Sequence, residues 1–245
     1  MSTYYFFMKL AEVIFKVKTN NPELQKMCSK FVLTDNENET YSFEIEATKE
    51  DLEYEKKLLI GVKYSKPISD SLMEFNAIHR KIADKLLDYD ILLVHASAIS
   101  INEKGILFTA PSGTGKSTHT QYWKQLYKNK VDIINDDKPL LKFVDNKILC
   151  YGSPWDGKNR LSSTKNVELT DICLLSRGET SSIKRISTLE FTPLFLKQIY
   201  ISQNHEKKIK SLQLLNKICS KVNFYDLKCT NDIESARFSS NELLK

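Results

Sequence analysis

Glycine, cysteine and long apolar runs are all scarce in this sequence, which holds seven glycines and five cysteines in 245 residues. The cysteines are scattered, with neither a CxxC pair nor a Cys/His ligand spacing, which argues against a zinc site and a disulfide framework. No apolar run approaches the roughly 20 residues that a membrane-spanning helix needs. Residues 1–10 also lack the layout of a signal peptide. We therefore expect a cytoplasmic protein with reduced thiols and no membrane partner.

The excess of charge of one sign is also small. The 36 basic and 31 acidic side chains give a net charge of +5, and they are mixed along the chain without a dense basic stripe. This balance suits an anionic ligand but gives no reason to expect nucleic acid as a partner. Hydrophobic residues at 41% and charged residues at 27% are typical of a globular protein. The length fits one large α/β domain, or a main domain with a small N-terminal appendage.

The N-terminal part mixes patterns typical of strands and of helices. Residues 12–18 predict a strand, because alternate residues are apolar, and residues 41–45 predict another. The polar stretch 35–40 between them predicts a turn or loop. Residues 71–87 predict an amphipathic helix, since their apolar residues recur at spacings of three and four.

From residue 91 onwards the pattern changes. Two largely apolar runs, 91–101 and 105–109, flank the polar turn 102–104 and predict a hairpin or closely paired strands. A Gly-rich loop follows, and predicted helices and strands then share the rest of the chain. The predicted helices cover 116–128, 193–200, 206–222 and 231–244, and the further predicted strands cover 131–134, 140–144, 147–151, 171–175 and 224–227.

The most informative motif is Gly105-Ile-Leu-Phe-Thr-Ala-Pro-Ser-Gly-Thr-Gly-Lys-Ser-Thr-His. Its order of strand, Gly-rich loop and helix is the context that a P-loop requires. Five of the seven glycines lie within residues 105–157, and glycine is used where backbone approaches a ligand closely. Ala110 stands at the first glycine of the G-x-x-x-x-G-K-[ST] pattern, so we expect the loop to form if this position needs no positive φ. The alternative is a Ser/Gly turn that caps an ordinary helix.

The P-loop interpretation gives each residue an expected role. Backbone N–H groups of residues 112–116 would face phosphate oxygens, helped by the dipole of the following helix. Lys116 would reach the β- and γ-phosphates, the Ser117 hydroxyl would hold Mg²⁺, and Thr118 or His119 would touch a phosphate. The predicted ATP-binding residues are Pro111, Ser112, Gly113, Thr114, Gly115, Lys116, Ser117 and Thr118.

A pair of carboxylates, Asp136 and Asp137, follows an apolar stretch about twenty residues after Lys116. Neighbouring residues of a strand point to opposite faces. Both aspartates can therefore face the phosphates only if the strand ends there, which Pro139 favours. Phosphoryl transfer needs charge neutralisation and an oriented attacking oxygen, and carboxylates serve both needs. The alternative is a solvated acidic turn.

Three stretches in this order resemble the catalytic domain of HPr serine kinase/phosphorylase. They are Leu93-Val-His-Ala-Ser-Ala-Ile, the P-loop motif and Ile134-Asn-Asp-Asp-Lys-Pro-Leu. The resemblance covers about residues 90–180. It implies an α/β fold with a P-loop-containing mixed sheet flanked by helices, and a core shared with ATP-type phosphoenolpyruvate carboxykinase. We expect residues 89–245 to form this catalytic domain and residues 1–88 a small α+β region that helps to recognise the acceptor.

The resemblance also implies residue roles. Asp136 would be the base that accepts the proton of the substrate hydroxyl, and Asp137 would support Mg²⁺ together with Ser117. The two aspartates could also exchange roles, since close carboxylates titrate as a coupled pair. His95 would orient one of the aspartates, whereas a histidine of the buried core is the alternative.

The chain departs from the family at Tyr151-Gly-Ser-Pro-Trp-Asp-Gly-Lys-Asn-Arg, where the family signature R-G-x-G-I-I-N-V is absent. It is more similar to a compact subgroup, so HPr itself is not the expected substrate. We predict that loop 152–160 closes on the substrate and that Lys158 or Arg160 stabilises transition-state charge. The alternative is a structured turn with surface cations. Arg177 and Gly178 predict a structural turn.

Together these features predict a kinase that uses ATP and Mg²⁺ and moves the γ-phosphate to a serine or another hydroxyl. The acceptor would be a protein, a peptide or a small molecule, and homo-oligomer formation stays open. The alternative is a nucleotide-binding regulatory module of a biosynthetic complex with little catalysis. A carboxykinase-like lyase is less favoured, because the chain is short and lacks an obvious Mn²⁺-binding Lys/His set.

Overall fold

The structure is a computed structural model that describes residues 3–34, 40–58 and 69–245. The chain divides into two compact units, Met1–Tyr89 and Asp90–Lys245. The predicted loop 35–40 lies outside the described residues, apart from Thr40. Among the described residues, no helix combines the length and hydrophobicity that crossing a bilayer requires.

In its described residues, the first unit contains a three-stranded sheet and three α-helices. The strands are β1 (Tyr4–Leu10), β2 (Val13–Thr19) and β3 (Glu44–Glu46), and the helices are α1 (Pro22–Met27), α2 (Lys49–Leu58) and α3 (Asp70–Leu86). β2 lies in the centre, antiparallel to β1 and parallel to β3. The predicted strand over 12–18 and the predicted helix over 71–87 are confirmed as β2 and α3. The prediction over 41–45 is wrong in its first three residues, because β3 pairs with β2 only opposite Lys16, Val17 and Lys18.

The second unit, in which every residue is described, is built on one nine-stranded mixed sheet. The strands are β4 (Ile91–Leu93), β5 (Ala96–Ile101), β6 (Lys104–Thr109), β7 (Val131–Asn135), β8 (Leu140–Val144), β9 (Lys147–Tyr151), β10 (Asn166–Arg177), β11 (Ser182–Arg185) and β12 (Asn223–Cys229). Their order is β4-β8-β9-β10-β6-β5-β7, and β12 and β11 continue the sheet from the C-terminal half of β10. The expected α/β class with a mixed sheet and helices is therefore present.

Four helices accompany this sheet: α4 (Lys116–Tyr127), α5 (Thr188–Phe195), α6 (His205–Cys219) and α7 (Ile233–Leu243). α4 and α7 share a buried core with the sheet, in which Trp123 and Ala236 are fully buried beside Phe108. α6 and α7 begin at side-chain N-caps, Asn204 and Asp232. These caps satisfy first-turn amides that would otherwise lack a partner.

The predicted hairpin is confirmed, because β5 and β6 pair antiparallel from Ala96 opposite Thr109 to Ile101 opposite Lys104. The long run 91–101 is not one strand. It breaks after Leu93, because β4 pairs with β8 whereas β5 pairs with β6 and β7.

The prediction over 193–200 places the helix too late. α5 begins at Thr188, where Ser187 and Glu190 form a reciprocal capping box, and Pro193 lies inside the helix. The capping box satisfies two backbone donors at the start, and the helix continues through Pro193 although the proline ring removes one hydrogen bond.

Strand directions bring several chain segments to one edge of the sheet. β6 and β7 both run antiparallel to β5, and β10 runs parallel to β6 and β12. The carboxyl ends of β6, β7, β10 and β12 therefore meet at the same edge, as does the start of β5. Loops at the carboxyl ends of parallel strands are where ligands bind in open α/β sheets.

Candidate active site

The Gly-rich loop, defined as residues 110–115, joins the end of β6 to the start of α4. Gly113 and Gly115 have φ values of +78° and +123°, which L side chains rarely adopt. Ala110 is 3% exposed and does not have a positive φ. Position 110 therefore needs no positive φ, and alanine is compatible with the loop.

The start of α4 carries unsatisfied backbone donors. Gly115 is the N-cap and provides no side-chain hydrogen bond, so helix geometry leaves the amides of the first turn without an intrahelical acceptor. Lys116, Ser117 and Thr118 form this first turn, and all three border a cleft. The positive end of the helix dipole lies at the same point, which favours an anionic ligand.

The cleft has a volume of about 700 Å³, which is within the range of small-molecule sites. It lies entirely in the second unit. The side chains and backbone that line it are His95, Ser112, Gly113, Thr114, Gly115, Lys116, Ser117, Thr118, His119, Tyr122, Asp136, Asp137, Gly157, Lys158, Asn159, Leu175, Arg177, Cys229, Thr230, Asn231 and Ser235. The predicted ATP-binding residues from Ser112 to Thr118 are thus brought together with both aspartates, His95 and Lys158.

Lys116 folds back under the Gly-rich loop. Its Nζ donates to the carbonyl oxygen of Ala110 at 2.9 Å and lies 3.1 Å from Nε2 of His95. The side chain is only 7% exposed, and burial lowers the pKa of its ammonium group. The ammonium group is therefore held at the loop, next to the carboxylates.

His95 lies between β4 and β5, and its ring faces two ways. Nδ1 is 3.0 Å from Oε1 of Gln198, while Nε2 faces Lys116 and lies 3.5 Å from Oδ1 of Asp137. Burial lowers its pKa, and the neighbouring charges of Lys138 and Lys116 lower it further. The imidazole of His95 is therefore neutral at neutral pH.

Asp136 is buried, with 3% exposure, and its carboxylate is surrounded by donors. Oδ1 accepts from the hydroxyls of Ser97 and Thr120 at 3.1 and 3.4 Å, and Oδ2 accepts from Nδ2 of Asn159 at 3.1 Å. Burial raises its pKa, whereas the hydrogen bonds, including one from Ser117, act in the opposite direction. Its orientation is fixed from three sides.

Asp137 is more open, with one third of its side chain exposed. Oδ2 binds Nζ of Lys138 at 3.1 Å, on the side away from His95. β7 ends before the two aspartates, which is the condition under which both carboxylates can face the same side. Asn135, and not only Pro139, ends the strand here. Oδ1 of Asn135 accepts from the backbone N–H groups of Asp137 at 2.9 Å and Lys138 at 2.6 Å, which turns the chain.

The two predicted cations of loop 152–160 lie in different places. Lys158 borders the cleft, together with Asn159, which the sequence did not single out. Arg160 does not border the cleft, and its Nη1 lies 3.7 Å from Oδ1 of Asp156. Arg160 lies in a backbone turn and has a φ of +54°.

Arg177 was interpreted from the sequence as part of a structural turn, but it borders the cleft. Its Nη2 donates to the carbonyl oxygen of Gly113 at 2.6 Å and its Nε to that of Thr114 at 3.1 Å. The available signal was its position at the end of a strand parallel to β6, which brings it to the loop. Ser97 lies within the quoted stretch Leu93–Ile99 but was given no role, and Thr120 and Gln198 belong to no motif.

His119 differs most from its expected role. It is 2% exposed, and Nε2 lies 3.1 Å from Oγ of Ser239 and 3.2 Å from the indole N–H of Trp123. Burial lowers its pKa to about 4. Its ring packs against Phe108 and contacts α7 through Ser239, so its contacts are with the core, although the residue also borders the cleft.

The side chains fit a magnesium ion that arrives with a nucleotide. Among the described residues, no group of three or more His, Cys, Asp or Glu side chains could hold a metal by itself. Mg²⁺ usually keeps several waters and is bound through one or two carboxylates plus substrate phosphates. Ser117 and Asp136 offer such a partial set, since the Ser117 hydroxyl lies 3.5 Å from the backbone oxygen of Asp136 and is near enough to its carboxyl group to lower the pKa.

No protein-family model and no curated protein matches this sequence. Among solved structures, the Hpr(Ser) kinase/phosphatase from Coxiella burnetii is similar in structure to part of the chain. The TM-score is 0.36 and the sequence identity 13%, over 62% of this chain and 96% of that chain.

Proposed function

We propose that this protein is an ATP- and Mg²⁺-dependent kinase that transfers the γ-phosphate to a hydroxyl group. The observation that carries the proposal is the convergence of three features on one cleft. They are the uncapped N-terminus of α4, the buried ammonium of Lys116 and the carboxylates of Asp136 and Asp137. Phosphoryl transfer needs these three parts, which bind the phosphates, balance their charge and orient the attacking oxygen.

The triphosphate is bound by the P-loop formed by the Gly-rich loop and the first turn of α4. Amides of residues 115–118 and the helix dipole hold the β- and γ-phosphate oxygens. Lys116 exchanges the carbonyl oxygen of Ala110 for a phosphate oxygen, which a short rotation of its flexible side chain allows. Lys158, which also borders the cleft, balances charge that develops on the transferred group.

The contacts favour the exchange of roles between the two aspartates that the sequence left open. Asp136 is buried beside Ser117, which suits the metal side of the site. Asp137 is partly exposed beside His95, which suits a base that meets an incoming hydroxyl. When bound, Mg²⁺ would neutralise charge on the β- and γ-phosphates.

The chemical step follows from these positions. The acceptor oxygen attacks the γ-phosphorus, its proton goes to the carboxylate of Asp137, and the bond from the γ-phosphorus to the bridging oxygen of ADP breaks. Lys138 holds the carboxylate at Oδ2, while Nε2 of His95 lies 3.5 Å from Oδ1. The sequence resemblance to HPr serine kinases supports a serine acceptor on a protein or peptide.

Two measurements test the proposal. Titration calorimetry with ATP, ADP and GTP in magnesium buffer should show binding, and Lys116→Ala should weaken it about 100-fold or more, since a charge-assisted phosphate contact is lost. The exposed Lys130→Ala variant is the matched control and should bind like the wild type. Labelled ATP with candidate peptides encoded nearby on the genome, followed by mass spectrometry, should show phosphate addition.

Different negative results have different meanings. Absence of any nucleotide binding would remove the basis of the proposal. Tight binding of nucleotide without turnover with any acceptor would favour the regulatory-module alternative.

A further inference from the structure

Gln198 lies opposite His95 because two distant chain segments pair there. Val94 and Ile199 form an isolated antiparallel bridge. The N–H of His95 donates to the carbonyl oxygen of Gln198 at 2.7 Å, and the N–H of Tyr200 donates to that of Leu93 at 2.9 Å. This register fixes the backbone of Gln198 beside a residue 103 positions earlier.

The hydrogen bonds of the His95 ring define which nitrogen carries the proton. The Lys116 ammonium has donors and no acceptor, so Nε2, 3.1 Å from it, must offer its lone pair. A neutral imidazole then carries its proton on Nδ1. The Oε1 atom of Gln198, 3.0 Å away, is the acceptor for that N–H.

We propose that Gln198 is a positioning residue that fixes His95 in the Nδ1-protonated tautomer, and that this keeps the Nε2 lone pair directed at Lys116 and Asp137. The proposal rests on the proposed kinase function. No sequence motif marks Gln198, which ends a short 3₁₀ turn, Leu196–Gln198, after α5.

The tautomer matters because Nε2 faces both charged groups. In the opposite tautomer, the Nε2–H would point at the Lys116 ammonium and would also donate to Oδ1 of Asp137, 3.5 Å away. A donated hydrogen bond stabilises the carboxylate and makes it a weaker base. Wrong tautomers of a catalytic histidine are costly in other enzymes, with losses up to about 10⁴-fold. Here His95 acts through Asp137, so a loss of about tenfold or more in kcat is expected.

The experiment compares Gln198→Leu, which removes the acceptor, with Gln198→Glu, which retains an Oε acceptor. The side-chain ¹⁵N spectrum of His95 reports the tautomer directly, and transfer assays report kcat and the KM for ATP. We expect the Nδ1–H tautomer in the wild type and its loss in Gln198→Leu, with kcat reduced about tenfold or more and KM within about twofold. Gln198→Glu should restore the tautomer and most of kcat. The exposed Gln203→Leu variant is the control and should change neither.

Two results would overturn the inference. One is an Nε2–H tautomer in the wild-type protein, and the other is an unchanged tautomer and kcat in Gln198→Leu. If Gln198→Leu does not fold, Gln198→Met is measured instead, because its length matches glutamine. The ¹⁵N spectrum requires no acceptor, so it tests the tautomer even if the protein proves not to transfer phosphate. Failure of the kinase proposal would appear separately, as absent nucleotide binding with an intact tautomer.

Discussion

The guanidinium of Arg177 donates to the carbonyl oxygen of Gly113, 64 residues earlier in the chain, at 2.6 Å. A second bond reaches the carbonyl oxygen of Thr114. These two carbonyl groups therefore point toward Arg177, on a loop whose glycines permit the required backbone angles. Because the same peptide units carry N–H groups on their opposite sides, fixing the carbonyls also fixes the directions of the amides.

Replacement of Arg177 by alanine should weaken nucleotide binding. The loop would lose two charge-assisted hydrogen bonds and would have to be ordered by the ligand itself. Because Arg177 is exposed to solvent, we expect a moderate effect, a roughly fivefold higher Kd for MgATP, measured by calorimetry. Arg177→Lys should recover only part of the affinity, since lysine cannot make the two-pronged contact. Arg237→Ala, which removes an exposed arginine paired with Glu234 on α7, is the control. A Kd for Arg177→Ala equal to that of the control would contradict the loop-ordering role.

The two aspartates should respond differently to replacement by asparagine. Asp137→Asn should keep MgATP binding and reduce transfer by about 10² to 10⁴, the usual contribution of a general base. Asp136→Asn should weaken the magnesium-dependent part of ATP binding. It should also lower stability, because an amide in that orientation would set one N–H group against the donors that surround the carboxylate.

Parallel calorimetry with and without magnesium, together with a transfer assay, separates these roles. If Asp136→Asn bound MgATP normally and lost only transfer, while Asp137→Asn stayed active, the base would be Asp136. That outcome would restore the division of roles that the sequence resemblance implied.

Local signals in the sequence account for the parts of the fold that were predicted well. The hairpin of β5 and β6 follows from the polar turn at Asn102 and Glu103, both of which have positive φ. The Gly-rich loop follows from Gly113 and Gly115 between a strand and a helix. Each of these depends on residues that are close in the chain, so their spacing carries the information.

Other features depend on contacts between distant residues, which spacing cannot reveal. The apolar run 91–101 is interrupted at Val94, which pairs with Ile199, a residue that follows α5 in the chain. The spacing within the run does not reveal this pairing. His119 was expected near phosphate because it follows the motif, yet its polar partner Ser239 comes from α7, 120 residues later. Arg177 likewise acquires its contacts only through the parallel pairing of β10 with β6.

The buried His119 should make the stability of the protein depend on pH. Its pKa is about 4 in the folded protein, compared with 6.5 for a histidine in an unfolded chain. Between pH 6.5 and 4 the unfolded chain binds a proton that the folded chain does not, so the free energy of unfolding falls as pH decreases. Below pH 4 this difference in pKa lowers the free energy of unfolding by about 3 kcal/mol, and above pH 6.5 it has no effect.

The measurement is chemical denaturation of the wild type and His119→Gln between pH 4 and 7.5 in metal-free buffer. Carboxylates titrate in both proteins, so the difference between the two curves isolates His119. We expect the variant to be less stable at pH 7.5, because buried contacts with Ser239 and Trp123 change. The difference should narrow toward pH 4. A difference that is constant with pH would mean that His119 titrates alike in the folded and unfolded states.

Two glycines should respond to alanine in different ways, because different constraints act on them. At Gly152 an added Cβ would lie 2.1 Å from the carbonyl oxygen of Ser163 and 2.8 Å from that of Ile134, and backbone atoms cannot yield easily. Gly152→Ala should therefore destabilise the protein by about 3 kcal/mol, as overpacking does. At Gly113 nothing lies within 4 Å of an added Cβ, and only the φ of +78° opposes it. Gly113→Ala should therefore cost about 1 kcal/mol.

Denaturation midpoints and nucleotide titrations together separate these two constraints. Gly152→Ala should lower the midpoint strongly, and the part of the protein that stays folded should retain its affinity for MgATP. Gly113→Ala should show the reverse, with a small change in midpoint and a clear loss of affinity, because the strained residue belongs to the loop that faces the phosphates. Equal losses of stability in the two variants would show that the backbone around residues 134 and 163 moves to accept the methyl group. In that case, the close packing at Gly152 would not be what holds loop 152–160 against the end of β7.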